Sequence, residues 1–353
     1  MRHPLPSASA KTDKIQSILV IHQGALGDFI LALPTLETLR DTFPKAKLVI
    51  MGFPRILELV DQRFYADEIL SVDQRGMASF FFRGASLDQA LSQFFSTFNL
   101  VLVFGKDGEG TLIGNLKQVC RGYLLHINPF PEWPERIHST DHLLRELMRY
   151  GFSPSKKTPR LFLSEKDRDW GKSFCRVKGL TEEEKSKAIV IHPGSGSKKK
   201  VWPAERFSEL IHYFQRHSHS RILIVLGPAE GREVQKTFEG MEWELGSTAP
   251  LLVKGLSLLE LASVMVGCRL FIGNDSGITH MAAALGLPTI AIFGPSDHKI
   301  WSPRGEKVFV VRKEMNCSPC SQEKFVGCKN SECLRQIEIG DVLEGIRKLG
   351  IQL

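Results

Sequence analysis

Short apolar runs alternate with longer amphipathic stretches along almost the whole chain. In the first half the runs SILVI, KLVIMG, EILSV and LVLVFG predict strands, while FILALPTLETLRDTF, RILELVDQ and LDQALSQFFSTF predict helices. Apolar runs rich in β-branched residues and without polar alternation suit parallel strands buried on both faces, and their alternation with helices is the pattern of βαβ units. The second half repeats the theme: AIVI, RILIV, LFIG and PTIAIF run into polar turns, with ERFSELIHYFQRH, EGREVQKTFEG, LSLLELASVMVGC and THMAAALG as helices and IGDVLEGIRKLGIQL as an amphipathic end. Between the halves SPSKKTPRLFLSEKDR turns to Pro, Lys and Ser, which marks a domain junction. The fold class predicted is α/β, with two doubly wound domains facing each other across a cleft. The expected divisions are 1–13 as a disordered lead-in, 14–160 and 161–337 as the two domains, and 338–353 as a C-terminal helix. A chain of 353 residues suits two cores.

Composition narrows the partners. With 42% hydrophobic and 24% charged residues the chain reads as globular. Its formal charge of +7 favours phosphorylated ligands but falls short of the footprint of a dedicated nucleic-acid binder, so no nucleic-acid partner is expected. The lead-in MRHPLPSASAKTD lacks the apolar core of a secretory signal, and no apolar run approaches membrane-spanning length; the expected location is cytoplasmic, with any membrane contact peripheral. Seven cysteines, an odd number, argue against a disulfide scaffold. Cys317, Cys320, Cys328 and Cys333 form C-x2-C and C-x4-C arms that could hold zinc, but their separation is short, and packing or free thiols are expected instead.

The candidate chemistry sits where apolar runs end. In IHPGSGSKKKVWP the small residues Ser195, Gly196 and Ser197 expose backbone amides and hydroxyls that could wrap a phosphate, and Lys198, Lys199 and Lys200 bring positive charge to the same place. In LFIGNDSGITH, Asp275, Ser276 and Gly277 open a helix whose N-terminal amides favour an anion; Asp275 could cap that helix or contact a sugar hydroxyl, and His280 is structural or a ligand contact. Glu230, after LIVLG, is placed to accept from a sugar ring or to serve as a first-turn acid. The turn HQGALGD poses a different problem. Gly24 and Gly27 permit close approach, yet Asp28 would repel a phosphate, so it suits a hydroxyl that must lose a proton, or else it is only a helix-start acid. Lys106, Lys117 and Arg121 could meet acceptor phosphates or be plain surface, and Phe80, Phe81 and Phe82 with Arg83 could touch a lipid or pack inside. The first turn lacks G-x-G-x-x-G, which argues against a nicotinamide dehydrogenase.

Three segments in order, ILVIHQGALGDFILALPTLETLR, VIHPGSGSKKKVWPAERFSELI and LFIGNDSGITHMAAALGLPTIAIFGPSD, resemble family 9 glycosyltransferases, the group of the ADP-heptose:lipopolysaccharide heptosyltransferases. The resemblance implies a GT-B arrangement whose C-terminal helix crosses back to the first domain, and an inverting transfer with no covalent intermediate. It implies Asp28 as general base, Lys200 as the cation at the departing diphosphate, and Ser195, Gly196 and Ser197 as phosphate contacts. Asp275, Ser276, Gly277 and His280 match the D-[ST]-G-x-x-H signature around sugar and diphosphate; Glu230 matches a ribose contact more loosely. Gly24, Gly27 and Lys106 would lie on the acceptor side. The implied partners are a nucleotide-sugar donor, ADP-heptose favoured, and a lipopolysaccharide-type acceptor at the cytoplasmic face of the inner membrane. No cofactor is required by this scheme and no metal ligands are expected, though Mg2+ could sit at the diphosphate. GKDGEGTLIGNLKQVC departs from the usual acceptor-side segment. Transfer of another nucleotide sugar, epimerisation of one, or mere binding of one remain the alternatives.

Overall fold

A computed structural model describes residues 14–131, 135–227, 232–240 and 249–352. The chain divides after Phe162 into two compact units.

The first unit is built on a parallel sheet of β1 (Ser17–His22), β2 (Lys47–Gly52), β3 (Glu68–Ser71), β4 (Leu100–Phe104) and β5 (Tyr123–Ile127), in the order β3-β2-β1-β4-β5. β1 pairs with β2 through Ile18 and Leu48 and with β4 through Ile18 and Leu100, so the sequence order reverses direction between β1 and β4. Phe29 to Leu39 are buried without interruption in the helix Leu26–Thr42. A helix apolar nearly all round belongs inside, and this one is fixed from outside by the Thr140 hydroxyl, which donates to Leu31 O at 3.0 Å. The helix expected over RILELVDQ shrinks to Pro54–Leu57. Past it the chain must turn to enter β3, and Gln62 takes a φ of 50° while Arg63 N bonds to Val60 O and Ala66 O.

The second unit has a six-stranded parallel sheet: β6 (Ile189–His192), β7 (Ile222–Leu226), β8 (Leu251–Lys254), β9 (Leu270–Asn274), β10 (Thr289–Ile292) and β11 (Val308–Val311), in the order β11-β10-β9-β6-β7-β8. Here the direction reverses between β6 and β9. The helix Leu258–Met265 starts at a capping box in which Ser257 and Glu260 satisfy each other's backbone amides. The C-terminal helix Ile339–Lys348 buries Val342 and Ile346 in the core formed with Ile290, Ile292, Phe207 and Trp202 of its own unit.

In open parallel sheets the crevice for ligands opens beyond the carboxyl ends of the strands, at the point where the strand order reverses. The two reversal points, β1/β4 and β6/β9, are followed by GALGD and Lys106 in one unit and by HPGSGSKKK and DSG in the other.

Candidate active site

In the second unit the strand ends deliver two loops that interlock. Asn274, the last residue of β9, is fully buried; its amide donates to Pro193 O at 2.8 Å and Gly194 O at 3.3 Å, and its Oδ1 accepts Trp202 N–H at 3.0 Å. One side chain thus pins both ends of the loop that carries Ser195 to Lys200. Trp202 is also buried, and its indole donates to Ile337 O at 2.9 Å. Ser195 is spent in the same construction: it is buried, and its hydroxyl donates to the Asp275 carbonyl at 2.8 Å. Its role in the loop is a clamp. Gly196 is exposed and a Cβ built there meets nothing within 4 Å, so open space lies over that point of the loop.

Lys200 and Asp275 come together. The ammonium lies 2.9 Å from Asp275 Oδ2, with the carboxylate only 7% exposed. The approach is off the hydrogen-bonding direction, which leaves Oδ2 paired in charge but with its hydrogen-bonding capacity unused. Buried carboxylates are tolerated when a cation compensates them. The helix Gly277–Ala284 is capped by Ser276, whose hydroxyl accepts Thr279 N–H, so the capping role considered for Asp275 falls to its neighbour. Ser276 Oγ also lies 3.3 Å from His192 Nδ1, and His280 is buried in the first turn of the helix. Gly277 opens that turn, where the first amides have no partner within the helix. Glu230 lies outside the described residues.

In the first unit Asp28 is the third residue of the helix Leu26–Thr42, half-buried, with Oδ2 accepting Ala25 N–H at 3.2 Å. The helix-start role is therefore realised. A carboxylate has about four acceptor sites, so capping and proton acceptance are compatible. Gly24 explains itself: a Cβ there would lie 2.7 Å from His22 Cε1 and 2.9 Å from Asp28 Cβ, so only glycine lets imidazole and carboxylate close in on the turn. Gly27 follows as the second helical residue. His22 is buried between Phe29 and Phe104, at 5.2 and 5.4 Å between ring centroids, and its Nδ1 accepts Gly24 N–H at 3.3 Å. Burial pushes its pKa down to about 4, so the imidazole beside the carboxylate is neutral at pH 7.

The basic residues after β4 part company. Lys106 stays at the carboxyl edge, exposed, its ammonium 4.5 Å from the centre of the Phe130 ring. Lys117 and Arg121 do not join it, because the helix Thr111–Val119 carries the chain back to the amino edge, where Gly122 packs against Asn99 O and Tyr123 pairs with Leu100. Phe80 is core, whereas Phe81 and Phe82 are exposed. The cysteines carry no disulfide, and among the described residues no group of three His, Cys, Asp or Glu is placed to hold a metal.

Asn274 and His22 are the residues that motif reading undervalued. The signal was their position as the final residue of a buried run, where a polar side chain must find a defined partner.

The chain is similar to known proteins. The model of glycosyltransferase family 9 (heptosyltransferase) matches residues 125–329, more than half of the chain, and the chain belongs to that family. A lipooligosaccharide heptosyltransferase 2 of Campylobacter jejuni is 29% identical over 166 residues, 46% of this chain and 51% of that protein, so the chain spans about half the length of this relative. Among solved structures, a family 9 glycosyl transferase from Veillonella parvula superposes with a TM-score of 0.75 at 23% identity, covering 95% of this chain and 97% of the other. The E. coli ADP-heptose lps heptosyltransferase II superposes at 0.71 and 18%, covering 94% and 98%. The fold is therefore GT-B-like.

Proposed function

We propose that this chain is an inverting glycosyltransferase that moves a sugar, heptose from ADP-heptose, onto an inner-core hydroxyl of a lipopolysaccharide-type acceptor. The observation that carries the proposal is the seat at the β6/β9 reversal: Lys200 held against Asp275, the capped start of the helix Gly277–Ala284, and open space above Gly196. Such a seat suits a diphosphate. The names of the relatives supply the sugar and the acceptor class: one is a lipooligosaccharide heptosyltransferase, another an ADP-heptose lps heptosyltransferase.

In this scheme the glycosyl–phosphate bond breaks with positive charge growing on the anomeric carbon and negative charge on the departing diphosphate. Lys200 and the helix-start amides meet the second charge. Removing one such donor typically costs about 3 kcal/mol of transition-state stabilisation. Asp28 takes the proton of the attacking hydroxyl, and the neutral His22 beside it adds no competing cation. Ser276, Gly277 and His280 line the donor side with Ser197, and Asp275 faces the sugar as well as Lys200. Lys106 with the exposed Phe130 offers the acceptor a charge and an apolar surface. No step is assigned to a metal; Mg2+ at the diphosphate would only add to the charge that Lys200 supplies.

No helix among the described residues is long and apolar enough to cross a membrane. We place the enzyme at the cytoplasmic face of the inner membrane, in peripheral contact with its lipid-linked acceptor. The test is product analysis with sugar-labelled ADP-heptose and lipid acceptor. The expected product is glycosylated lipid, formed by the parent and lost in Asp28→Ala while ADP-heptose binding persists. A free isomer of the sugar would instead mark an epimerase, and undiminished turnover by Asp28→Ala would remove the base.

A further inference from the structure

The cysteine-rich segment, which the proposed chemistry does not use, is mounted on the donor-side loops. The Lys199 ammonium donates to Phe325 O at 2.7 Å and Val326 O at 2.6 Å, carbonyls of the last turn of the helix Gln322–Gly327, and lies 5.4 Å from the centre of the Phe325 ring. In return the Ser331 hydroxyl donates to Lys199 O at 3.2 Å. The same segment grips the turn after β10: Ser318 Oγ donates to Gly294 O at 2.6 Å and Cys320 N to Pro295 O at 2.8 Å, while a Cβ on Gly294 would lie 3.1 Å from Cys333 Sγ. Lys199 therefore points away from the donor seat, and its neighbour Lys200 points into it.

We propose that residues 317–333 form a clasp that fixes Lys200 at the departing phosphate, with Lys199 as its positioning residue. Three adjacent lysines repel one another, and a short turn, Lys198–Lys200, does little to hold them. Tying the middle ammonium to a helix C-terminus, where carbonyls and dipole favour a cation, removes one charge from the loop and sets the direction of the next side chain. The inference rests on the transferase reading.

A double-mutant cycle tests it, measured as kcat and as donor dissociation constant. Lys199→Met is expected to lower kcat about tenfold, as loss of an aligned transition-state contact would. Lys199→Arg, which keeps a cation for the two carbonyls, restores most of that. In a Lys200→Met background the same Lys199→Met change is expected to alter kcat by less than about twofold, because a residue acting through another has nothing left to act on. If the two effects multiply, or if Lys199→Arg is as impaired as Lys199→Met, the clasp does not position Lys200. A drop in melting temperature alone, with kcat unchanged, also overturns the proposal, since it leaves only a structural tie. Lys200→Met by itself separates the two levels of argument: full turnover by that variant defeats the role of Lys200 and not the clasp alone.

Discussion

His22 is a histidine that the fold refuses to charge. Its ring is enclosed by Phe29 and Phe104, and its Nδ1 is committed as the acceptor of Gly24 N–H. Protonation would cost both the burial and that hydrogen bond. With a pKa near 4 in the native state against 6.5 when unfolded, the unfolded chain binds more protons between these values. Its contribution to stability is thus complete above pH 6.5 and is lost as pH falls toward 4, about 3 kcal/mol in all. Urea unfolding of the parent and of His22→Phe across that window should show the parent losing more stability than the variant as pH drops. Parallel curves would mean that His22 is exposed to solvent protons. In the proposed role of base Asp28 would draw on the same device, because a carboxylate meant to accept a proton is better served by a neutral neighbour than by an imidazolium.

At the scale of elements, the strand-to-turn junctions were legible because each buried run ends abruptly in polar residues, and HPGSGSKKK and NDSG do fall together at one strand reversal. Of the four edge strands only β3, in EILSV, was. β5 has only two buried positions, Leu125 and Ile127, and β8 and β11 are short and mostly half-buried, so they lack the continuous apolar signature that identified β1, β6 and β9. From the sequence Lys106, Lys117 and Arg121 could meet acceptor phosphates or be plain surface; the return direction of the helix Thr111–Val119 separates Lys106 from the other two. Nor does a motif reveal that Ser195 is consumed by the Asp275 carbonyl, a contact made across 80 residues. Element packing also sets a prediction for the second unit. The helix Glu165–Val177 crosses the helix Leu258–Met265 so closely that a Cβ on Gly171 would lie 2.1 Å from Ser263 O. That neighbour is backbone and has little room to yield, so Gly171→Ala should destabilise the chain by about 1–3 kcal/mol despite the better helix propensity of alanine. Urea denaturation measures it, and a neutral or stabilised variant would show that the two helices are free to separate.

On the scale of the whole molecule, the division after Phe162 into two units, each with its own sheet and core, puts the proposed anion seat in one and the proposed proton acceptor in the other. The nucleotide moiety alone should therefore engage only the second unit. Hydrogen exchange with saturating ADP is expected to slow at amides of residues 194–200 and 277–280, the loop and helix start proposed to hold the diphosphate, and to leave residues 24–28 at their free rates. At about a hundredfold excess over its dissociation constant ADP should stabilise the native state by about 2.7 kcal/mol. The gain should shrink in Lys200→Met and with rising salt, because a half-buried ammonium is still partly screened, and it should survive Asp28→Ala. UDP, GDP and CDP present the same diphosphate on other bases and separate recognition of the diphosphate from recognition of the base. Equal stabilisation by all of them would keep the diphosphate assignment and remove the preference for ADP. Protection of residues 24–28 by ADP would instead put the donor on the wrong unit and overturn the division of labour argued from the two strand reversals.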